Sequence, residues 1–208
     1  MIKIEVWSDI NCPFCYIGKR HLEKALERYS KKESVEVIWK SFELDPVSHP
    51  PKGSDQTELL AKKYGRSLEW AREMNQNMTQ MAREAGLEFR MDQLIPANSF
   101  KAHRLIHLAL SVNLQDQMKE RLLKARFTEG MDLGDDKILL MLAGEVGIEE
   151  SMLTHFFESQ KFVSEVRKDE EVAKLKQISG VPFFVFNSQY AISGARPVED
   201  FLRILEKL

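Results

Sequence analysis

The stretch WSDINCPFCYIG, residues 7–18, decides the fold and holds both cysteines of the chain. It follows a short apolar segment that alternates like a strand, and the residues after it have helical periodicity. Cys12 and Cys15 therefore stand at the beginning of a predicted helix, in Cys-x-x-Cys spacing. Two thiols so spaced can close into a disulfide and open again. Thiol–disulfide exchange needs such a pair, because one thiolate attacks and the second thiol resolves the mixed disulfide.

The position of Cys12 at a helix N-terminus predicts an acidic thiol. The positive end of the helix dipole and the free amide groups there stabilise a thiolate. Pro13 suits the first helical turn because it has no amide hydrogen to satisfy. Phe14 carries no charge, so the helix end is the main stabilising influence. We expect the pKa of Cys12 to lie below that of a free thiol, but above its value where a histidine separates the cysteines.

The composition argues against several classes of function. The chain has 208 residues, of which 43% are hydrophobic, so it can bury a substantial core. Its 30 basic and 32 acidic residues nearly cancel, which favours neither nucleic acid nor an anionic membrane as a partner. The sequence shows no signal peptide pattern and no apolar run of about 18 residues, so the expected location is the cytoplasm. In a reducing compartment an isolated Cys-x-x-Cys is more often catalytic or metal-binding than structural.

The sequence supports a metal site at the cysteines less well than it supports redox chemistry. A zinc site usually has four ligands, and a second cysteine pair is absent from the sequence. His103 and His107 share a predicted helical face, but no acidic third ligand accompanies them. Phosphate-binding glycine loops and the Gly-x-Ser-x-Gly nucleophile motif are also absent. We therefore favour redox exchange, and we expect no metal and no cofactor besides the disulfide of Cys12 and Cys15.

The order of predicted elements indicates an α/β unit interrupted by helices. A strand over 2–8, a helix over 13–29 and a strand over 35–42 form a βαβ unit. Helical periodicity then predicts helices over 55–64, 67–85, 98–112, 115–128, 135–146, 149–158 and 161–178. Strands over 183–186 and 189–192, joined by Asn187-Ser188, and a helix over 197–207 end the chain. We predict one domain from 1–44 and 159–208, and a helical insertion domain from 45–158.

Four segments, in this order, resemble the DsbA-like branch of the thioredoxin superfamily, and within it the FrnE-type oxidoreductases. They are residues 7–18, NSFKAHRL at 98–105, ISGVPFF at 178–184 and SGARP at 193–197. The resemblance implies an α/β, thioredoxin-like fold with an inserted all-helical domain. It also implies that Cys12 is the attacking thiol and Cys15 the resolving one, with protein or peptide thiols and disulfides as partners.

The resemblance further implies a cis peptide bond between Val181 and Pro182, beside the dithiol. A physical reason exists for proline there, since it removes an amide donor and leaves room beside the sulfurs for an incoming chain. The backbone of Val181 can then pair with a substrate peptide in a way that tolerates many sequences. The alternative is that Pro182 is an ordinary turn residue that begins a strand.

Three further features have both a structural and a functional interpretation. Asp9 is a candidate proton relay for Cys15, or a structural acceptor for turn amides, which we favour. His103 is a candidate to face the dithiol across a groove between the domains, or a solvated or capped histidine. Met74, Met78 and Met81 form a stripe that suits a peptide groove, or ordinary core, which is favoured.

Two other functions compete with redox exchange. Kappa-type glutathione transferases and hydroxychromene carboxylate isomerases belong to the same branch, and in them a serine typically stands where Cys12 stands. Glutathione would then be the co-substrate, but the two sulfurs of this chain argue for exchange. A chaperone-like binding module would need neither cysteine.

Overall fold

The computed structural model describes residues 1–51 and 53–208 and contains a four-stranded mixed sheet. The strands are β1 (Ile2–Ser8), β2 (Val35–Ser41), β3 (Phe183–Phe186) and β4 (Tyr190–Ser193). Their order across the sheet is β2-β1-β3-β4, with β1 and β2 parallel and the other pairs antiparallel. The predicted C-terminal hairpin is confirmed, and both of its turn residues, Asn187 and Ser188, have positive φ, as tight hairpin turns require.

Helices account for most of the remaining chain. They are α1 (Pro13–Arg28), α2 (Gln56–Tyr64), α3 (Leu68–Ala85), α4 (Phe100–Ser111), α5 (Gln115–Phe127), α6 (Asp136–Glu145), α7 (Glu150–Leu153), α8 (Val163–Leu175) and α9 (Val198–Leu205). The first of them is the crossover that a parallel β1–β2 pair requires, so the predicted βαβ unit is confirmed. None of the helices in the described ranges is long and apolar enough to cross a lipid bilayer.

The two faces of the sheet bury alternate residues of β1. Ile4 and Val6 are fully buried in a cluster that includes Phe201 of α9, and α9 also contacts α1. Trp7 is on the other face, where it packs with Ala173 of α8. This alternation follows from the two-residue period of a strand. The end of β1 is therefore covered on both faces, and the cysteine motif begins there.

The largest differences from the predicted helix lengths occur in two helices. The predicted helix 149–158 is reduced to α7, because His155 adopts a left-handed conformation with φ 55°. The predicted helix 161–178 is reduced to α8, which lies between Phe162 at φ 61° and Gln177 at φ 57°. Positive φ is uncommon outside glycine and does not fit a right-handed helix, so these residues bound the helices.

The hydrophobic core continues from the sheet into the helices. Side chains of β1, β2 and β3 share one buried cluster with side chains of α4, α5 and α6. A second cluster joins α1, α3 and α5, and in it the rings of Phe89 and Phe127 stack with centroids 4.9 Å apart. Through these contacts α5 approaches the beginning of α1. The division into 1–44 with 159–208 and 45–158 stays a prediction.

Candidate active site

Cys12 lies at the N-terminal cap position of α1, where the chain turns from β1 into the helix. The turn is closed by the amide of Cys12, which donates to the carbonyl oxygen of Asp9 at 3.3 Å. The backbone of Cys12 is extended, with φ −97° and ψ 112°, and Pro13 occupies the first helical position. The sulfur of Cys12 is thus attached to the very beginning of α1, as the sequence predicts.

Cys15 lies one turn further along α1 and is buried beneath Cys12. Its amide donates to the carbonyl oxygen of Cys12 at 3.0 Å. The exposed fraction is 4% for Cys12 and 0% for Cys15, whereas Phe14 between them is 40% exposed. Both cysteines are free thiols in the structure. A sulfur arriving from solvent therefore meets Cys12 first.

The segment before β3 packs against the outer thiol. The Val181–Pro182 peptide bond is cis, and the sulfur of Cys12 lies 3.5 Å from the carbonyl oxygen of Val181. The carbonyl oxygen of Pro182 accepts a hydrogen bond from the amide of Gly194 at 2.8 Å. Gly18 in α1 permits the close approach, because a Cβ there would stand 2.9 Å from Cγ of Pro182. Pro182 is therefore held between α1 and the end of β4, beside Cys12.

The predicted acidity of Cys12 is opposed by its surroundings. Its pKa is raised, first by the hydrogen bond with Cys15 and then by burial. Burial by itself also raises the pKa of Cys15, but the Cys12 thiol, the Lys119 ammonium and the Ser8 hydroxyl lower it, and the net direction is downward. The two thiols therefore titrate as a pair, because a negative charge on one sulfur opposes ionisation of the other.

Asp9 and His103 form a buried pair behind the turn. The carboxylate of Asp9 accepts hydrogen bonds from the amides of Asn11 at 3.1 Å and Leu44 at 2.8 Å, and Nε2 of His103 lies 3.4 Å away. Burial raises the pKa of Asp9, but His103 and the two amides together lower it by more. The net result is a pKa below the ordinary value of an aspartate. Burial lowers the pKa of His103, which is 1% exposed and so does not open onto a groove. This geometry fits a structural role for Asp9.

The other candidates from the sequence lie on helices of the middle segment. Met78 packs partly against the cluster between α1, α3 and α5, Met74 is half-buried, and Met81 is 43% exposed. His107 is buried, and its Nε2 lies 3.2 Å from Oδ2 of Asp169. Within the described ranges, no group of three or more His, Cys, Asp or Glu side chains is arranged to hold a metal ion.

Sequence reasoning missed Lys119, a buried cation from α5. Its Nζ donates to the carbonyl oxygen of Ser8 at 3.3 Å and lies 5.7 Å from the centroid of the Trp39 ring. A signal was present, since Lys119 falls between the buried Met118 and Leu122 and so shares the inward face of α5. The sequence did not reveal what that face would meet.

A buried carboxyl group lies just beyond β2, next to the residue whose amide binds Asp9. The side chain of Glu43 is fully buried, its Oε2 accepts a hydrogen bond from Arg167, and its Oε1 has no hydrogen-bond partner among the described residues. Burial raises the pKa of Glu43 to about 7, with Arg167 opposing the shift and Glu170 reinforcing it. The folded protein therefore favours the neutral acid.

Glu43→Gln is expected to change how stability depends on pH. Because the folded pKa is raised, the contribution of Glu43 to stability is fully present below about 4.5, its ordinary value, and is lost as the pH rises through about 7. The variant should match wild type near pH 4.5 and exceed it above pH 7 by about 1–3 kcal/mol of unfolding free energy. Urea unfolding at several pH values measures this. The exposed Glu36→Gln on β2 is the control, and an equal profile in both variants would contradict the assignment.

The geometry agrees with comparisons to known proteins. A family model described as a DSBA-like thioredoxin domain matches residues 3–206. The Bacillus subtilis protein YwbO is 30% identical over 203 residues, which cover 96% of this chain and 94% of that protein. The crystal structure of a probable DsbA oxidoreductase from Streptomyces coelicolor is 33% identical, with a TM-score of 0.94 over 100% of this chain and 89% of that one.

A more distant structure shares the fold. The cytosolic disulfide reductase DsbM from Pseudomonas aeruginosa, which has also been solved with GSH, is 15% identical. Its TM-score is 0.68, over 99% of this chain and 97% of that one. The thioredoxin-like α/β fold with its helical middle segment is thus confirmed, and the chain belongs to the DsbA-like thioredoxin domain family.

Proposed function

We propose that this protein is a thiol–disulfide oxidoreductase that exchanges disulfides with protein or peptide substrates through Cys12 and Cys15. The observation that carries the proposal is the placement of both thiols in the first turn of α1, with the outer one nearer solvent. The hydrogen bond from the amide of Cys15 to the carbonyl oxygen of Cys12 supports it, because the resolving step needs the two cysteines close together in one turn. The similar Streptomyces coelicolor protein, described as a probable DsbA oxidoreductase, points to the same chemistry.

In the reductive direction the reaction begins when Cys12 gives up its proton to water. The Cys12 thiolate attacks a substrate disulfide. A bond forms between Cys12 and one substrate sulfur, the substrate S–S bond breaks, and the departing thiolate takes a proton from water. Cys15 then loses its proton and attacks the sulfur of Cys12, which releases the second substrate thiolate. Two electrons have moved to the substrate, and the protein holds the Cys12–Cys15 disulfide.

The segment at Val181 is the proposed contact for the substrate backbone. A peptide that pairs with Val181 as an added strand brings its own cysteine to Cys12, whose sulfur lies 3.5 Å from the carbonyl oxygen of Val181. Main-chain pairing of this kind tolerates many substrate sequences. Because DsbM is described as cytosolic and has been solved with GSH, we also propose the cytoplasm as the location and glutathione as a reductant of the disulfide.

Cys15→Ser is expected to trap a mixed disulfide. Without the inner thiol, Cys12 still attacks the substrate but nothing resolves the product, so a covalent adduct of protein and substrate accumulates. Non-reducing electrophoresis and mass spectrometry of the intact adduct, after incubation with a disulfide-bonded protein, measure the effect. The double variant Cys12→Ser/Cys15→Ser is the control and should form no adduct. Absence of an adduct with folded Cys15→Ser would contradict the proposed order of attack.

A further inference from the structure

The side chain of Asn11, the residue immediately before Cys12, ties the turn between β1 and α1 to the helical middle segment. Its Nδ2 donates a hydrogen bond to the carbonyl oxygen of Ala97 at 2.8 Å, although the two residues are 86 positions apart in the sequence. Its backbone amide donates to the carboxylate of Asp9 at 3.1 Å. The residue before the outer thiol is therefore fixed at two points, one inside the turn and one outside it.

The loop that contains Ala97 is itself held in place. Ala97 is buried in the hydrophobic cluster that joins the sheet to α4, α5 and α6. Two residues earlier in the same loop, the carbonyl oxygen of Ile95 accepts a hydrogen bond at 2.8 Å from Nη1 of Arg126, a buried residue of α5. The hydrogen bond from Asn11 thus ends on an anchor that the helical middle segment fixes without help from the dithiol.

The side chain of Asn11 adds little net stability to the fold. Its Oδ1 is buried and has no hydrogen-bond partner among the described residues. A buried acceptor without a partner costs free energy comparable to what a neutral hydrogen bond contributes, so the two ends of this amide largely offset each other. Stability therefore does not account for an asparagine next to the reacting thiol, whereas the position that it imposes on Cys12 does.

The position of Cys12 matters because the segment beside it is remote in sequence. Its sulfur lies 3.5 Å from the carbonyl oxygen of Val181, which is 169 positions further along the chain. Cys12 precedes the first residue of α1 and has extended backbone torsions, so its position depends on the turn that Asn11 fixes. A displacement of about 1 Å between reacting groups can lower a rate by a factor on the order of 100.

We propose that Asn11 is a positioning residue, which holds the sulfur of Cys12 beside Val181 through its hydrogen bond to Ala97. The inference rests on the proposed function. A peptide that pairs with Val181 presents its disulfide at one place, and attack requires the sulfur of Cys12 to be in line with the S–S bond that breaks. The side chain of Asn11 is uncharged and acts through the position of Cys12.

Asn11→Leu tests the proposal, because leucine has the shape of asparagine but no donor. The carbonyl oxygen of Ala97 then replaces Oδ1 as the unpaired acceptor, so the urea midpoint should stay close to that of wild type. For a disulfide-bonded peptide, kcat should fall about tenfold while KM stays within about twofold of wild type. The control is Asn75→Ala, which removes a hydrogen bond from Nδ2 to Thr57 and should leave kcat unchanged. Equal kcat in wild type and folded Asn11→Leu would overturn the proposal.

A small reagent separates the position of the thiol from its reactivity. Iodoacetamide needs no contact with Val181, so it should alkylate Cys12 in Asn11→Leu at a rate within about twofold of wild type. An equal loss in alkylation and in exchange would show that Asn11 acts on ionisation of the thiol, and would reject the positioning role. If Asn11→Leu does not fold, Asn11→Ser, whose side chain is too short to reach Ala97, carries the same expectations. Failure of the proposed function would instead appear as undiminished activity in Cys12→Ser.

Discussion

Cys12→Ser is expected to lower the rate at which the protein reduces a disulfide-bonded substrate to the uncatalysed background. A serine hydroxyl is not ionised at neutral pH and does not attack a disulfide, because exchange proceeds through a thiolate. Cys15 cannot replace it, since its exposed fraction is 0% and Cys12 lies between it and solvent. The measurement is substrate reduction with glutathione or dithiothreitol as the terminal reductant, under conditions in which wild type gives multiple turnovers.

The same variant separates the proposed function from its rivals. A glutathione-dependent transferase or isomerase, in which a serine typically stands at the position of Cys12, would keep its activity in Cys12→Ser and in Cys15→Ser. A chaperone-like module would keep its function when both cysteines are replaced. Thermal unfolding of each variant controls for loss of the fold. Turnover by Cys12→Ser at the wild-type rate would refute exchange through this dithiol.

The sequence predicts β1, α1 and the position of the cysteines at their junction, because the patterns that indicate them lie within a few neighbouring residues. Alternating Ile2, Ile4 and Val6 define β1, and the two cysteines fall within one turn of the helix that follows. A local signal suffices when both partners of an interaction lie in one element or in neighbouring ones. The placement of Val181 beside Cys12 is not local, and the resemblance to a family, rather than the residues, led to that prediction.

The acidity of Cys12 is not a local property for the same physical reason. The helix dipole of α1 follows from the sequence, but the pKa of each thiol also depends on the other thiol, and that of Cys15 on Lys119. The periodicity of α5 identifies Lys119 as inward-facing, but only the packing of α5 against α1 and β1 determines which groups it meets. A pKa depends on every charge within a few ångströms, so it cannot be obtained from one element.

The ends of α7 and α8 show a second limit of sequence reasoning. His155 and Phe162 take left-handed conformations, although neither residue type is a usual signal for helix termination. Around them Arg104 donates hydrogen bonds to the carbonyl oxygens of Phe156, Ser159 and Lys161. These bonds from a distant helix satisfy the backbone of an irregular loop, which apolar spacing alone would continue as a helix.

Gly18→Val is expected to destabilise the protein by about 1–3 kcal/mol and to slow exchange, because α1 packs directly on the cis-proline segment. A Cβ at Gly18 would stand 2.9 Å from Cγ of Pro182, which forces one of the two to shift, and 3.2 Å from Cζ of Phe184, which is a tight contact. Relief requires α1 to move away from Pro182, and that movement would separate Cys12 from the carbonyl oxygen of Val181. Urea unfolding and the rate of substrate reduction, measured on the same preparation, test both effects.

Gly144→Val is the matched control, since Gly144 is also helical and a Cβ there meets nothing within 4 Å. Valine has a helix propensity slightly better than that of glycine. This variant should therefore unfold with a free energy within roughly 0.5 kcal/mol of wild type, and it should catalyse exchange at the wild-type rate. The contrast between the two variants isolates the contact with Pro182 from the effect of valine on a helix. If Gly18→Val were as stable and as active as Gly144→Val, close packing of α1 on Pro182 would not be needed to position Cys12 beside Val181.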